Sequence, residues 1–319
     1  MSFLELLAII VSGTLYTATP LIFTALGGVF SERSGVVNIA LEGLMLFGAF
    51  IGIVTTLLMG DTWGMAAPWV SLIVAAIASG LFALLHGVAS ITLKADQTVS
   101  GVAINFLALG LTVFAIKKIF GKGQTDFIQF RIEKVDVPIL SDIPIIGRIF
   151  FSDVPYTSYI AIILAFVVWY MIYKTPFGLR LRAVGEHPMA ADTMGINVYK
   201  MRYIAVCISG MFAGVGGAVF ATSISGNFSG GTITGQGFLA LAAMIFGKWH
   251  PIGALGAALF FGFAQSLAIT GGTIPFLRGV PSVILTILPY VFTILALVGF
   301  VGRAEAPKAL GVPYEKGKR

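Results

Sequence analysis

The stretch ERSGVVNIALEGLMLFGAF, residues Glu32 to Phe50, sets two opposite charges and a Ser-Gly pair against an apolar run that carries Asn38 and a second carboxylate, Glu42. No further charge follows until Asp61. The same pattern repeats outward from it, with long apolar runs and charges gathered at their ends. Runs extend over Phe3 to Phe30, Ile39 to Gly60, Ala67 to Leu93, Val99 to Ile116, Tyr156 to Tyr173, Tyr203 to Ile224, Phe238 to Phe246, Ile252 to Ile269 and Val280 to Val301. Most approach or exceed the ~20 residues a helix needs to cross a hydrocarbon core. They are apolar all round, which excludes the alternating strands of a β-barrel. The expected fold class is all-α, a polytopic transmembrane helical bundle of about nine crossings, one of them short or broken.

Composition agrees: 57% of the 319 residues are hydrophobic, 11% are charged and the mean hydropathy is +0.96, outside the range of soluble chains. Phe3 to Phe30 lacks a basic n-region and an obvious small-residue cleavage site, so it reads as a retained span. The single Cys207 permits no internal disulfide. The formal charge of +6 does not point to nucleic acid, because the basic residues sit at span ends. Lys174 to Arg202 carries five Lys/Arg against Glu186 and Asp192, and Arg303 to Arg319 carries five against Glu305 and Glu315. Both segments are expected on the cytoplasmic side. Counting back places 121–154 outside, Lys94 inside, Asp61 outside, Arg33 inside and the N-terminus outside. Residues 1–319 thus form a single transmembrane domain with an external loop 121–154, a cytoplasmic loop 174–202 and a cytoplasmic tail 303–319.

That parity requires Phe238 to Phe246 to act as a crossing although it is too short for a full span. A half-helix packed within protein satisfies this, since irregular backbone at membrane depth survives only where protein or water pairs it. Thr19-Pro20 is expected to kink or interrupt the first span. TVSGVAINFLAL from Thr98 echoes TITGQGFLAL from Thr232, which leaves two related halves and chance similarity both open. Small-residue spacings such as Gly210 to Gly214 read as helix-packing sites.

Phosphate-loop, HExxH, CxxC and GxSxG patterns are absent, and His86, His187 and His250 are far apart in sequence, so neither an enzyme nor a metal centre is expected. The most distinctive polar segment is TPFGLRLRAVGEHPMAADTMGINVYKMR, Thr175 to Arg202. Pro188 suits the first turn of a short helix and Gly195 its stop. Two readings stand: a basic interfacial helix resting on lipid head groups, or a docking element for a cytoplasmic partner.

GEHPMAADTMGI, within that segment, resembles the cytoplasmic coupling loop of permease subunits in bacterial ATP-binding-cassette (ABC) importers of the simple-sugar and nucleoside branch. SERSGVVNIALEGLMLFGAF and FLALAAMIFGKWHPIGALGAALFFG resemble the nucleoside-type members. The resemblance implies a permease domain working by alternating access, without its own motor and without a cofactor in this chain. It implies a partner ATPase that binds ATP and Mg, a second related permease, with a heterodimer expected, and an extracytoplasmic binding protein. It implies a coupling helix around Glu186, His187, Pro188, Ala190, Ala191, Asp192 and Gly195. The alternatives are a simple-sugar permease of the same branch, a stand-alone ion-coupled carrier, and a membrane scaffold.

A nucleoside is neutral, with a flat base and a hydroxyl-rich ribose, so its path needs aromatic faces and amide or hydroxyl groups without a fixed countercharge. Candidates are Gln97, Ser100, Asn105 and Phe106, and in the second half Asn227, Phe228, Thr234, Gln236 and Phe238; hydrogen bonding between helices is the competing reading. Glu32 and Arg33 are expected to neutralise each other. Asn38 and Glu42, four apart on one helix face, either line the path or anchor packing, because a carboxylate facing lipid costs roughly 2.5–3.5 kcal/mol at mid-span. The glycine-rich stretch 226–237 reads as an outer gate or a plain loop.

Overall fold

The computed structural model describes residues 3–271, 280, 284, 287, 291, 294 and 305–317. Among the described residues there are eleven α-helices and no strand beyond two isolated bridges. Seven helices are long: α1 (Phe3–Arg33), α2 (Leu41–Trp63), α3 (Ala67–Gly87), α4 (Gln97–Phe120), α6 (Tyr156–Lys174), α9 (Val198–Val219) and α11 (Pro251–Thr270). Four are short: α5 (Ile146–Phe150), α7 (Pro176–Glu186), α8 (Pro188–Thr193) and α10 (Gln236–Phe246). Single π-helical turns, Val88–Thr92 and Phe220–Ser225, extend α3 and α9. The chain is a multi-pass membrane protein. Eight of the nine apolar runs thus correspond to helices; the ninth, Val280 to Val301, lies outside the described residues but for scattered positions.

The bundle is organised around α1 and α9. α9 packs on α1, α2 and α3, and α1 packs on α11, α10 and α6. In lipid, helices gain little by burying Leu against Leu, so close approach of small residues does the work. Gly48 of α2 lies where an added Cβ would stand 2.3 Å from the Gly214 carbonyl oxygen of α9. The Thr17 hydroxyl of α1 donates to the Gly262 carbonyl of α11 at 2.7 Å. Gly214 therefore has the packing role that its spacing from Gly210 suggests.

Of the kink or interruption expected at Thr19-Pro20, the interruption does not occur: α1 continues through Pro20. α9 is packed against this turn: a Cβ on Gly216 would stand 2.7 Å from the Pro20 carbonyl oxygen, which accepts from Thr24 Oγ1 at 2.9 Å. Neighbouring helices and local hydroxyls commonly hold such turns in membrane bundles.

α10 has 11 residues, a rise of ~16 Å at 1.5 Å per residue, about half the ~30 Å of a hydrocarbon core. It is the expected half-helix. The irregular backbone leading to it is paired by the 121–154 segment: Thr125 N donates to Phe228 O, and Ile128 N to Gly226 O, both at 2.9 Å. Phe228 N returns a bond to Thr125 Oγ1 at 2.9 Å. The remainder of 121–154 forms a knuckle around α5, closed at its base by a Val135–Val154 bridge.

Candidate substrate pathway and docking face

Gly235 is the N-cap of α10 and offers no side-chain cap, so the N–H groups there require acceptors from elsewhere. Glu42, in the first turn of α2, supplies them. Its carboxylate accepts from Gly235 N and Gly237 N, each at 2.6 Å, and from Phe238 N at 3.3 Å. A negative group is favoured at a helix N-terminus, where N–H dipoles converge. Gly237 is required by the approach itself: a Cβ there would come 2.4 Å from Glu42 Cα.

The other end of α10 is gripped by the same segment of chain. The Trp249 indole Nε1 donates to Glu32 Oε2 at 2.5 Å, and Arg33 Nε donates to the Trp249 carbonyl at 2.8 Å. Arg33 Nη2 reaches Lys248 O at 3.2 Å and Tyr173 Oη at 3.1 Å. Glu32 and Arg33 therefore do not neutralise each other, as the sequence suggested. They point apart because Glu32 is buried and takes neutral donors, whereas Arg33 turns to carbonyls and to Glu186, with its Nη1 4.0 Å from Glu186 Oε1. Burial and the Arg33 charge together hold the His250 imidazole below its usual range.

The remaining first-half candidates tie residues 36–43 to their neighbours. Asn105 Oδ1 accepts from Gly43 N at 2.7 Å and its Nδ2 donates to Ile39 O at 3.0 Å. Gln97 Oε1 accepts from Val37 N at 2.7 Å. Asn38 Nδ2 donates to Ser209 Oγ of α9 at 2.8 Å. Ser100 Oγ lies 2.9 Å from His86 Nδ1, whose Nε2 is 2.9 Å from Val37 O. Phe106, beside Asn105, is exposed. One residue from each of the two echoed segments, Asn105 and Gly237, bonds the start of α2.

In the second half, Phe228 is buried edge-on against Phe50, and Asn227 Oδ1 accepts from Ser225 Oγ at 3.1 Å. Thr234 Oγ1 donates to Gly231 O at 2.9 Å. Gln236 and Phe238 stay accessible on the first turn of α10, Phe238 being 48% exposed. Gln265 of α11 donates from Nε2 to Gln236 Oε1 at 3.1 Å. Gln265 is the residue that sequence reasoning missed here; its signal was a single amide in an otherwise apolar helix.

At the end of the bundle that carries 174–202, α7 is capped by Thr175, whose Oγ1 accepts from Gly178 N at 3.3 Å, and α8 by His187, whose Nδ1 accepts from Ala190 N at 3.4 Å. Gly195 closes α8 with φ +81°, and its N donates to Asp192 O at 2.9 Å. Glu186, His187 and Ala190 are exposed, Pro188 and Asp192 partly so, while Ala191 is turned into the core. Two apolar side chains absent from the sequence candidates project outward, Met194 at 81% and Leu179 at 61% exposure.

Residues 305–317 lie across this face as a strap. Ala309 N donates to Gly185 O at 2.9 Å, and Gly311 N to Gly35 O at 3.2 Å. Lys308 N donates to Glu186 Oε2 at 3.4 Å, and buried Arg202 donates from Nη1 to Val312 O at 3.1 Å. Lys94 pairs with Glu315 at 3.2 Å.

With this geometry in place, comparison with known proteins decides the family. The profile described as branched-chain amino acid transport system / permease component matches residues 10–300. The chain belongs to this permease family. The permease is 63% identical over 319 residues to the guanosine ABC transporter permease protein NupQ of Bacillus subtilis (strain 168), covering 100% of both chains. It is 51% identical over 318 residues to the nucleoside ABC transporter permease protein NupC of Lactococcus lactis subsp. cremoris (strain MG1363), again covering 100% of both. It is also 29% identical over 285 residues to the guanosine ABC transporter permease protein NupP of Bacillus subtilis, covering 87% of this chain and 78% of that one.

Proposed function

We propose that this permease forms half of the translocation path of an ATP-driven nucleoside importer, with hydrolysis performed by a separate ABC ATPase. The observation that carries the reading is similarity over the full length to two permeases named for guanosine and for nucleosides. The geometry supports it. α7 and α8 present a short, capped, two-helix docking face at one end, and Met194 and Leu179 are apolar contacts suited to a groove in a partner. Basic residues around it and in the strap orient this end to the cytoplasm, which leaves 121–154 outside to meet an extracytoplasmic binding protein.

Along the path, Gln236, Gln265 and Phe238 supply two amides and an aromatic face at the half-depth end of α10, the chemistry that a neutral nucleoside requires. Asn105, Gln97 and Glu42 shape that region through bonds to backbone, and Asn38 through its bond to the Ser209 hydroxyl. The second subunit is a related but different permease: the chain is similar at 63% to one guanosine permease of Bacillus subtilis and at 29% to another.

The test is a mild-detergent purification of the tagged chain from its native membrane, with co-purifying proteins identified by mass spectrometry, followed by uptake competition. Recovery of an ABC ATPase and a second permease, with uptake blocked by unlabelled guanosine or adenosine, is the expected result. Competition by ribose alone transfers the reading to a simple-sugar permease. Transport by the chain alone, lost on collapsing an ion gradient, replaces it with an ion-coupled carrier.

A further inference from the structure

The segment from Glu32 to Glu42 holds both ends of α10. Glu42 accepts from the N–H of Gly235, which caps α10, and from those of Gly237 and Phe238 in its first turn, while Glu32 and Arg33 bind the indole and carbonyl of Trp249 just beyond its last turn. Trp249 and Lys248 both adopt left-handed backbone, φ +53° and +57°, a tight exit that sends the chain back into α11. Between these two ends the buried residues of α10, Ala240, Ala243 and Met244, with Leu239, Leu241 and Phe246 packed beside them, make apolar contacts that are less directional than the bonds at its ends. Before α10 the chain is anchored at Gly226 and Phe228 by the 121–154 segment, and it then passes through Gly230, Gly231 and Gly235, so the last stretch into α10 is joined to that anchor by glycine-rich backbone.

The Glu32–Glu42 segment is in turn fastened to the docking face. Arg33 faces Glu186, and a Cβ on Gly185 would stand 2.1 Å from the Arg33 carbonyl oxygen. The strap binds Gly185 O and Gly35 O within three residues of each other, so the α7–α8 loop and the Ser34-Gly35 turn are stapled together.

We propose that α10 is the arm of a lever whose fulcrum is the Glu32–Arg33–Trp249 cluster: displacement of the docking loop is carried through that cluster to Gln236 and Phe238 at the far end of α10. Trp249, Glu32 and Arg33 are positioning residues in this scheme, acting on the path through α10 without touching substrate. The proposal rests on the importer reading for its input, but its mechanical content, α10 and the docking loop moving as one body, belongs to this chain alone.

Two measurements separate these. In the assembled complex in proteoliposomes, Trp249→Phe keeps the ring and deletes the N–H donor. Expected per assembled complex is a tenfold or greater fall in maximal uptake with KM within twofold, ATP hydrolysis at half the original rate or more, and the same split for Arg33→Gln. Glu32→Gln in the otherwise intact chain keeps an acceptor for the indole and is expected to retain coupling. A proportional fall of uptake and hydrolysis, or no change in either, overturns the lever.

The second measurement needs no ATPase. In a Cys207→Ser background, nitroxides at Met194→Cys and Thr234→Cys report the distance from docking loop to α10 by pulsed electron resonance. A single narrow distribution that broadens on Trp249→Phe supports the lever, and an equally broad distribution in both overturns it. If the ATPase fails to co-purify while the distances behave as expected, the importer reading falls and the lever stands.

Discussion

Glu42 illustrates what a single residue declares about itself and what it withholds. A carboxylate in an apolar run must find donors, and that was legible from its surroundings. Its donors lie 193 residues away at Gly235, in a stretch whose sequence reads equally as a loop, so the partner was not. Glu42→Gln retains one acceptor oxygen but turns an amide toward the second N–H; leaving one buried donor unpaired costs about 1–3 kcal/mol. The expected result is lower abundance and a lower unfolding temperature in detergent, with residual uptake per folded molecule. Phe238 is the complementary case, exposed and bonded only through its backbone. Phe238→Ala is expected to raise the KM for nucleoside uptake about tenfold, in line with the ~1–3 kcal/mol of base–aromatic stacking, while the unfolding temperature stays level. Asn105 shows the limit of reading polarity alone: an amide beside an aromatic suggested a ligand site, yet both ends of the amide bond the start of α2.

Among the elements, the long helices were legible because length and uniform hydrophobicity are properties of the chain, and α10 because its run was too short to span. The short helix α8 was legible in Pro188, suited to a first turn, and in Gly195, suited to its stop, whereas the His187 cap before it was not. What the sequence hid was the direction that each side of α8 faces. Ala191, a natural choice for disrupting a docking helix, is buried, so an arginine there probes folding of the loop rather than docking. Met194→Glu is the cleaner variant, expected to reduce ATPase recovery in the pull-down at least fivefold while the permease remains in the membrane. Gly195→Val forces a β-branched residue to φ +81°, at a cost on the order of 1–2 kcal/mol. It is expected to lower uptake by frayed docking, visible as faster proteolysis within 186–197.

At the scale of the molecule, the two ends of the bundle are closed by different means. One is covered by 121–132 paired to the backbone of 222–228, and the other by the strap over the docking face. Neither closure was legible, because both are made chiefly of backbone bonds, to which the side-chain sequence is nearly blind. Removing residues 305–317 is expected to leave the membrane bundle assembled but to halve ATPase recovery or worse, measured against the intact chain in the same detergent. The strap also carries an order in time. Residues 305–317 leave the ribosome after every described span, yet the Gly185 and Gly35 carbonyls they bind were made long before. On the importer reading, the face that receives the motor is thus completed only after the described spans behind it have been synthesised.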